Sequence, residues 1–216
     1  MRVVIAGGHG QIALRLERVL AACGDQAVGI IRNPGHAADL RDSSAEPAVL
    51  DLEHAELDEI AEVLKGADAA VFAAGAGPGS GTERKDTVDR AAAALFADAA
   101  ERAGVRRHVQ VSAMGLGRAD DPGMDETFAI YLRAKKAAED DLRARDLDWT
   151  ILRPGHLTDD PGTGNVHLAD SVDIGDITRD DVAAVLAALL DESRTIGRTL
   201  ELVAGHTPID EALERI

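Results

Sequence analysis

The segment Gly7-Gly8-His9-Gly10-Gln11-Ile12-Ala13 constrains what this chain can fold into more than any other stretch. It follows the apolar run Val3-Val4-Ile5-Ala6, which is short and continuous, as in a strand buried on both faces. It leads into a helical pattern from Gln11 to about Cys23, with Ile12, Leu14, Leu16, Val19 and Leu20 apolar. The order is strand, glycine turn, helix, with the spacing G-x-x-G-x-x-A. Gly7 permits a sharp exit from the strand, Gly10 lets the backbone come close to a bound group, and Ala13 keeps the helix near the sheet. Gly8, His9, Gln11 and Ile12 complete the turn. The first N–H groups of the helix, at the positive end of its dipole, then face any anion that the turn holds, and a phosphate suits them.

The remaining pattern repeats the same alternation. Strand-length apolar runs fall at Ala27–Ile31, more weakly at Ala48–Leu50, then at Ala69–Ala73, His108–Ser112, Trp149–Arg153 and Thr199–Val203. Helical patterns fall between them, at Leu57–Leu64, Asp86–Ala103, Phe128–Ala144 and Thr178–Leu190, with a terminal helix at Ile209–Ile216. This order predicts an α/β fold, a doubly wound parallel sheet with helices on both faces. In such a sheet ligands bind beyond the carboxyl ends of the strands. The loops Gly75–Gly81, Gly115–Asp125 and Pro154–Asp176 all follow predicted strands and are expected to line one crevice.

Composition sets the outer bounds. A chain of 216 residues suits one domain, or one with a small appended lobe. Aromatic residues are 2% against 45% hydrophobic, so the core is expected to consist of Ala, Val, Leu and Ile. The formal net charge of −16 repels phosphate backbones and argues against a nucleic-acid partner. Cys23 is the single cysteine; it forms no internal disulfide and, on the apolar pattern of the first helix, reads as a small core residue. Met1-Arg2 leads directly into the first strand and no run approaches a membrane span, so a cytoplasmic protein with no membrane partner is expected. Its oligomeric state, monomer or homodimer, is open. The seven histidines show no metal-ligand spacing, no Walker-type lysine follows the glycine turn and there is no G-x-S-x-G elbow, so no metal is expected.

The second strand bears on which dinucleotide the turn holds. An acid at its end would bind the ribose hydroxyls of NAD; here Arg32 stands there, followed by Asn33. A guanidinium pairs with the 2′-phosphate of NADP, so NADP is expected over NAD. Asp51-Leu52 would lie beside the adenine, and the small residues Ala73-Ala74-Gly75 would leave room for the adenosine ribose. Further along, Tyr131 and Lys135 are four apart on a predicted helix and share a face. A nearby ammonium is expected to lower the tyrosine pKa toward working pH, which suits general acid–base chemistry. Lys135 would also hold the nicotinamide ribose. Ser112 ends the fifth strand, placed to orient a substrate carbonyl, and Asp89 lies early in the long helix after the fourth strand. The same spacing also fits a purely structural tyrosine and lysine.

In family order, the Gly7–Ala13 turn, Arg32, Asp51-Leu52, Ala73-Ala74-Gly75, Ser112, Tyr131 with Lys135, and Leu152-Arg153-Pro154-Gly155 resemble the short-chain dehydrogenase/reductase superfamily. The likeness is to its atypical NAD(P)-binding members, the flavin and biliverdin reductase type and the NmrA-like redox sensors. Asp180-Asp181-Val182-Ala183, opening a helix, extends it toward the C-terminus. The resemblance implies a Rossmann fold over residues 1–216, with 154–177 and 199–216 forming a small C-terminal substrate lobe. It maps Ser112, Tyr131 and Lys135 onto the catalytic serine, tyrosine and lysine, and puts Pro154 beside the cofactor. The fourth catalytic position is usually asparagine, whereas this chain has Asp89, whose charge would alter the proton relay and raise the tyrosine pKa. His156 either faces the nicotinamide end or is an ordinary loop residue. Only about 60 residues follow Pro154, which favours a small substrate, or none. The implied activity is hydride transfer between NADPH and a small carbonyl, quinone or related acceptor. The alternatives are an NADPH-binding sensor without turnover, and an epimerase or dehydratase in which the cofactor is oxidised and reduced within one cycle.

Overall fold

A computed structural model describes residues 1–77 and 81–216. In chain order its elements begin with β1 (Arg2–Ala6), α1 (Gln11–Ala22), β2 (Gln26–Ile31), α2 (Ala37–Asp42), β3 (Glu46–Val49), α3 (Leu57–Leu64) and β4 (Ala69–Phe72). A continuous helical segment follows: α4 (Thr82–Asp86), a π-helical stretch Thr87–Ala92, and α5 (Ala93–Ala103). Then come β5 (Arg107–Val111), α6 (Glu126–Arg143), β6 (Asp148–Pro154), β7 (His156–Thr158), β8 (Asn165–Ala169), β9 (Asp176–Thr178), α7 (Arg179–Asp191), β10 (Arg198–Ala204), β11 (Thr207–Pro208) and α8 (Ile209–Glu214).

The strands form a nine-stranded sheet in the order β11-β8-β10-β6-β5-β4-β1-β2-β3, and β7 and β9 pair separately. From β3 across to β10 every pairing is parallel; β8 runs antiparallel to both β10 and β11. This is a Rossmann-type α/β sheet. The chain leaves β1 toward β2 and β3, then returns to β4 on the other side, so the strand order reverses beside β1. The glycine turn follows β1 and therefore sits at the switch point, where such sheets open a crevice.

Alternation along the strands separates the core into two layers. Val3, Ile5 and Val71 face Leu16 and Leu20 of α1 and Leu186 of α7. Val4, Ala70 and Phe72 face Ile60 and Leu64 of α3 and Phe96 of α5. Aromatic bulk is concentrated at Phe72 and Phe96, whose ring centroids are 5.9 Å apart.

Three expectations are corrected here. Cys23 is exposed, at the C-cap of α1, because the apolar stripe of that helix ends a turn earlier at Leu20. The Pro154–Asp176 stretch is not a plain loop: β7 and β8 lie within it and β9 begins at its end, short strands whose apolar signal is too brief to read. The Asp86–Ala103 helix is not uniform, since its π-helical turn brings Val88 and Asp89 to the buried side together.

Candidate functional site

The glycine turn is held by close backbone packing on two sides. Gly7 has φ +80°, and a Cβ there would lie 2.6 Å from the Ala74 Cα, two residues beyond the end of β4. A Cβ on Gly8 would lie 2.6 Å from the Gly29 Cα in β2, and the Gly8 N–H donates to the Ile30 carbonyl at 2.9 Å. The Gly10 N–H closes the turn onto the Gly7 carbonyl at 2.8 Å. Gly10 is the N-cap of α1, no side chain caps the helix, and no acid lies in its first turn. The first amides of a twelve-residue helix thus open toward the crevice with no competing group, which is the fit a pyrophosphate requires. Ala13 is fully buried against the sheet.

On the β2 side of the turn lies a cavity of about 270 Å³, lined by Gly7, His9, Gly10, Arg32, Asp51, Leu52 and Ala73–Ala76, and also by His36, Glu53 and Arg84. His9 stacks on His36 with ring centroids 3.6 Å apart and bonds Asp39 through Nε2 at 2.8 Å. Arg32 is half-exposed, its Nη1 3.5 Å from Glu53 Oε2. The same carboxylate receives Arg84 Nη2 at 2.6 Å and the Thr87 hydroxyl at 2.6 Å. Hydrogen bonding from Arg84, aided by Thr87 and opposed by burial, holds the Glu53 carboxyl below its ordinary range. Sequence reading had not singled out Glu53, Arg84 or His36. Glu53 stands two residues beyond Asp51, but its pairing with Arg84 spans 31 positions and leaves no local signature.

Sharing Gly10 and Ala73–Ala76, a wider cleft of about 780 Å³ continues toward β5 and β6. Gln11, Ile12, Asp89, Ser112, Tyr131, Lys135 and Pro154 line it, so the predicted residues from distant parts of the chain converge. Members of all three expected loops are present: Gly75–Gly77, Asp125, and Pro154 with Leu157. Residues 78–80 of the first loop lie outside the described residues. Helix α6 starts where Asp125 accepts the Phe128 N–H at 2.9 Å. It is fastened to β6 by Glu139, fully buried, which takes Arg153 through two bonds of 2.9 and 2.6 Å and Arg143 at 2.7 Å. Burial pushes the Glu139 carboxyl up, but Arg153, the Ser112 hydroxyl and Arg143 together hold it below its ordinary range.

Within the cleft, Lys135 Nζ is 3.3 Å from Asp89 Oδ1, donates to the Val111 carbonyl at 3.3 Å, and stands 5.9 Å from the Tyr131 ring centroid. The Ala76 N–H donates to Asp89 Oδ2 at 3.3 Å. Phe128 stacks beside Tyr131, centroids 5.8 Å apart. The expected lowering of the tyrosine pKa is corrected: burial raises it, Lys135 opposes, and Asp89 adds to the rise. Lys135 divides its charge between the phenol and Asp89, so its effect on Tyr131 is smaller than the i,i+4 spacing suggests. The Ser112 side chain lines the cleft; its Oγ is closed to solvent with no hydrogen-bond partner among the described residues, and it lies near enough to Glu139 to favour that carboxylate's charged form. His156 is exposed in β7, 3.7 Å from Asp176, and does not line the cleft. Lys85, Phe128, Leu157 and Arg179 line it without having been read from sequence. Among the described residues, no group of three His, Cys, Asp or Glu is placed to hold a metal, and no helix is long and apolar enough to cross a membrane.

Comparison with known proteins agrees with this geometry. The family model described as NAD(P)H-binding matches residues 7–193. An uncharacterized sugar epimerase of Bacillus subtilis (strain 168), YhfK, is 37% identical, with all of both chains covered. Among solved structures, a candidate NAD-dependent epimerase/dehydratase from Bacillus halodurans superimposes with a TM-score of 0.92 at 36% identity, covering 100% of both chains. The oxidoreductase ylbE from Lactococcus lactis gives 0.86 at 27% identity, covering 100% of this chain and 96% of that one. The match across nearly the whole chain, with the glycine turn at its start, shows that the protein belongs to the NAD(P)H-binding family of Rossmann proteins.

Proposed function

We propose that this protein is an NADP-dependent reductase of a small, largely apolar carbonyl or quinone. The observation that carries this reading is Tyr131 on the lining of the wide cleft. It is largely buried, with Phe128 stacked beside it; burial and Asp89 raise its pKa, and Lys135 opposes them only in part. A tyrosine in that state keeps its proton at neutral pH. It serves as an acid toward an oxygen gaining electrons, and it is a poor base for oxidising an alcohol. NADPH, when bound with its pyrophosphate on Gly7–Ala13, supplies the hydride.

Around it the chain's own residues divide the work. Arg32, which lines the narrower cavity, would pair with a 2′-phosphate, with Asp51, Leu52 and Ala73–Gly75 around the adenosine. Gly8 and His9 shape the turn, and Gln11 and Ile12 present amides. Lys135 holds the ribose edge and Asp89 fixes Lys135. Pro154 closes the cleft near the nicotinamide. Phe128 and Leu157, both partly exposed at the cleft, supply an apolar surface for the substrate. Residues 1–216 act as one cofactor-binding unit, with 154–177 and 199–216 forming its substrate side.

The test is fluorescence titration with NADPH and NADH, followed by a panel of aldehydes and quinones. NADPH is expected to bind more tightly, and at least one acceptor to be reduced. Tyr131→Phe should lower carbonyl turnover by about 100-fold with NADPH affinity unchanged. Binding without turnover would replace this reading with a sensor. The names given to the two Bacillus relatives favour an epimerase as the second reading. Tightly retained cofactor with no net NADPH consumption would establish it, but it requires Tyr131 to accept a proton in one half of the cycle, against the direction of its shift.

A further inference from the structure

The Ser112 Oγ is closed to solvent, and a donor on the open lining of the wide cleft would hold the substrate oxygen more directly. Lys85 stands where such a group is needed. Its Nζ is 5.2 Å from the Tyr131 ring centroid, nearer than Lys135 Nζ at 5.9 Å. The residue is 8% exposed and lines the cleft. It donates to the Gly77 carbonyl at 2.9 Å and, among the described residues, pairs with no carboxylate. Lys135 differs in having Asp89. A shielded ammonium without a counter-ion is costly, and the cost is relieved when an electron-rich oxygen enters beside it. An ammonium has three N–H donors, so the Gly77 bond orients Lys85 and leaves donors for a ligand.

We propose that Lys85 is the catalytic residue that hydrogen-bonds the reacting oxygen of the substrate, and that its site accepts oxyanions of the phenolate or enolate class. The proposal rests on the reductase reading above. When hydride from the reduced nicotinamide adds to the carbonyl carbon, the C=O π pair moves to oxygen. Tyr131 gives that oxygen its proton, and the phenolate regains one from water. Lys85 transfers no proton in this step and acts as hydrogen-bond donor, already oriented before the reaction.

The experiment measures binding of 4-nitrophenolate, followed by its absorbance, and of uncharged nitrobenzene, by competition, to the NADP⁺-loaded protein. Wild type, Lys85→Met and Lys85→Arg are compared. Wild type should prefer 4-nitrophenolate. Lys85→Met should weaken it by at least about tenfold while nitrobenzene binding stays within about twofold, and Lys85→Arg should retain most of the preference. Equal 4-nitrophenolate binding in wild type and Lys85→Met would overturn the proposal. So would loss of both probes in Lys85→Met, or a wild type with no preference for the anion. With a reducible acceptor, Lys85→Met should lower kcat/KM by about 100-fold at unchanged NADPH affinity. A wild type that reduces nothing on the panel removes the reductase reading, while the two probes still decide the role of Lys85.

Discussion

Replacing Glu17 by glutamine is expected to stabilise the protein, and increasingly so as pH rises. Glu17 lies on α1 with no solvent exposure, and neither carboxylate oxygen has a hydrogen-bond partner among the described residues. It is pressed against β2 directly behind the glycine turn: a Cβ on Gly29 would meet Glu17 Oε1 at 2.7 Å and Gly8 Cα at 3.2 Å. Burial raises its pKa from 4.5 to about 8, and Arg18 offsets this only in part. The unfolded chain ionises this group from pH 4.5, whereas the folded protein keeps the proton until about pH 8. Its contribution is therefore whole below pH 4.5, declines up to about pH 8, and is constant above that. Each pH unit inside the window costs about 1.4 kcal/mol, giving roughly 3 kcal/mol at neutral pH. Glutamine has no charge to lose. The two proteins should differ by about 1 kcal/mol at pH 5 and about 3 kcal/mol at pH 7, or roughly 6–12 °C in Tm for a chain of this size. Urea and thermal unfolding across pH 5–8 measure this, and the difference between the proteins isolates one titration. A difference that stays flat with pH means that the buried carboxyl is already ionised in the native state, and the reasoning fails.

Two further outcomes bear on the cleft. Arg32→Ala should weaken NADPH by about 10–100-fold and leave NADH within about twofold, measured by fluorescence titration; equal losses would remove Arg32 from the 2′-phosphate. Asp89→Asn breaks a buried ion pair and should cost about 3 kcal/mol in urea unfolding. It also takes away an anion that raises the Tyr131 pKa. An acid works while protonated, so activity falls as pH rises through its pKa, and in the variant that fall should move to lower pH. A high-pH limb of kcat/KM that does not move down shows that Asp89 does not act on Tyr131.

Several of these residues could be read locally because their signals are local. Strand, glycine turn and helix occupy consecutive positions, so the glycine spacing is legible without the contacts that Gly7 and Gly8 make to Ala74 and Gly29. Tyr131 and Lys135 share a helix face through the 3.6-residue period alone, and apolar runs mark the parallel strands of the sheet, the edge strand β3 only weakly. Each of these depends on backbone geometry within a few residues, or on burial that leaves a periodic trace.

Electrostatics and short elements were not legible in that way. Glu53 meets Arg84 across 31 positions, Lys85 reaches Tyr131 from another helix, and Arg153 reaches Glu139 across 14 positions. Which hydroxyl is sealed, which ammonium has a counter-ion and which way a tyrosine pKa moves all depend on what folding places within a few ångströms. The sequence by itself determined that this chain builds a doubly wound sheet with a phosphate-binding turn after its first strand. Only the tertiary structure decided the charge around Tyr131, because desolvation and ion pairing are set by neighbours in space.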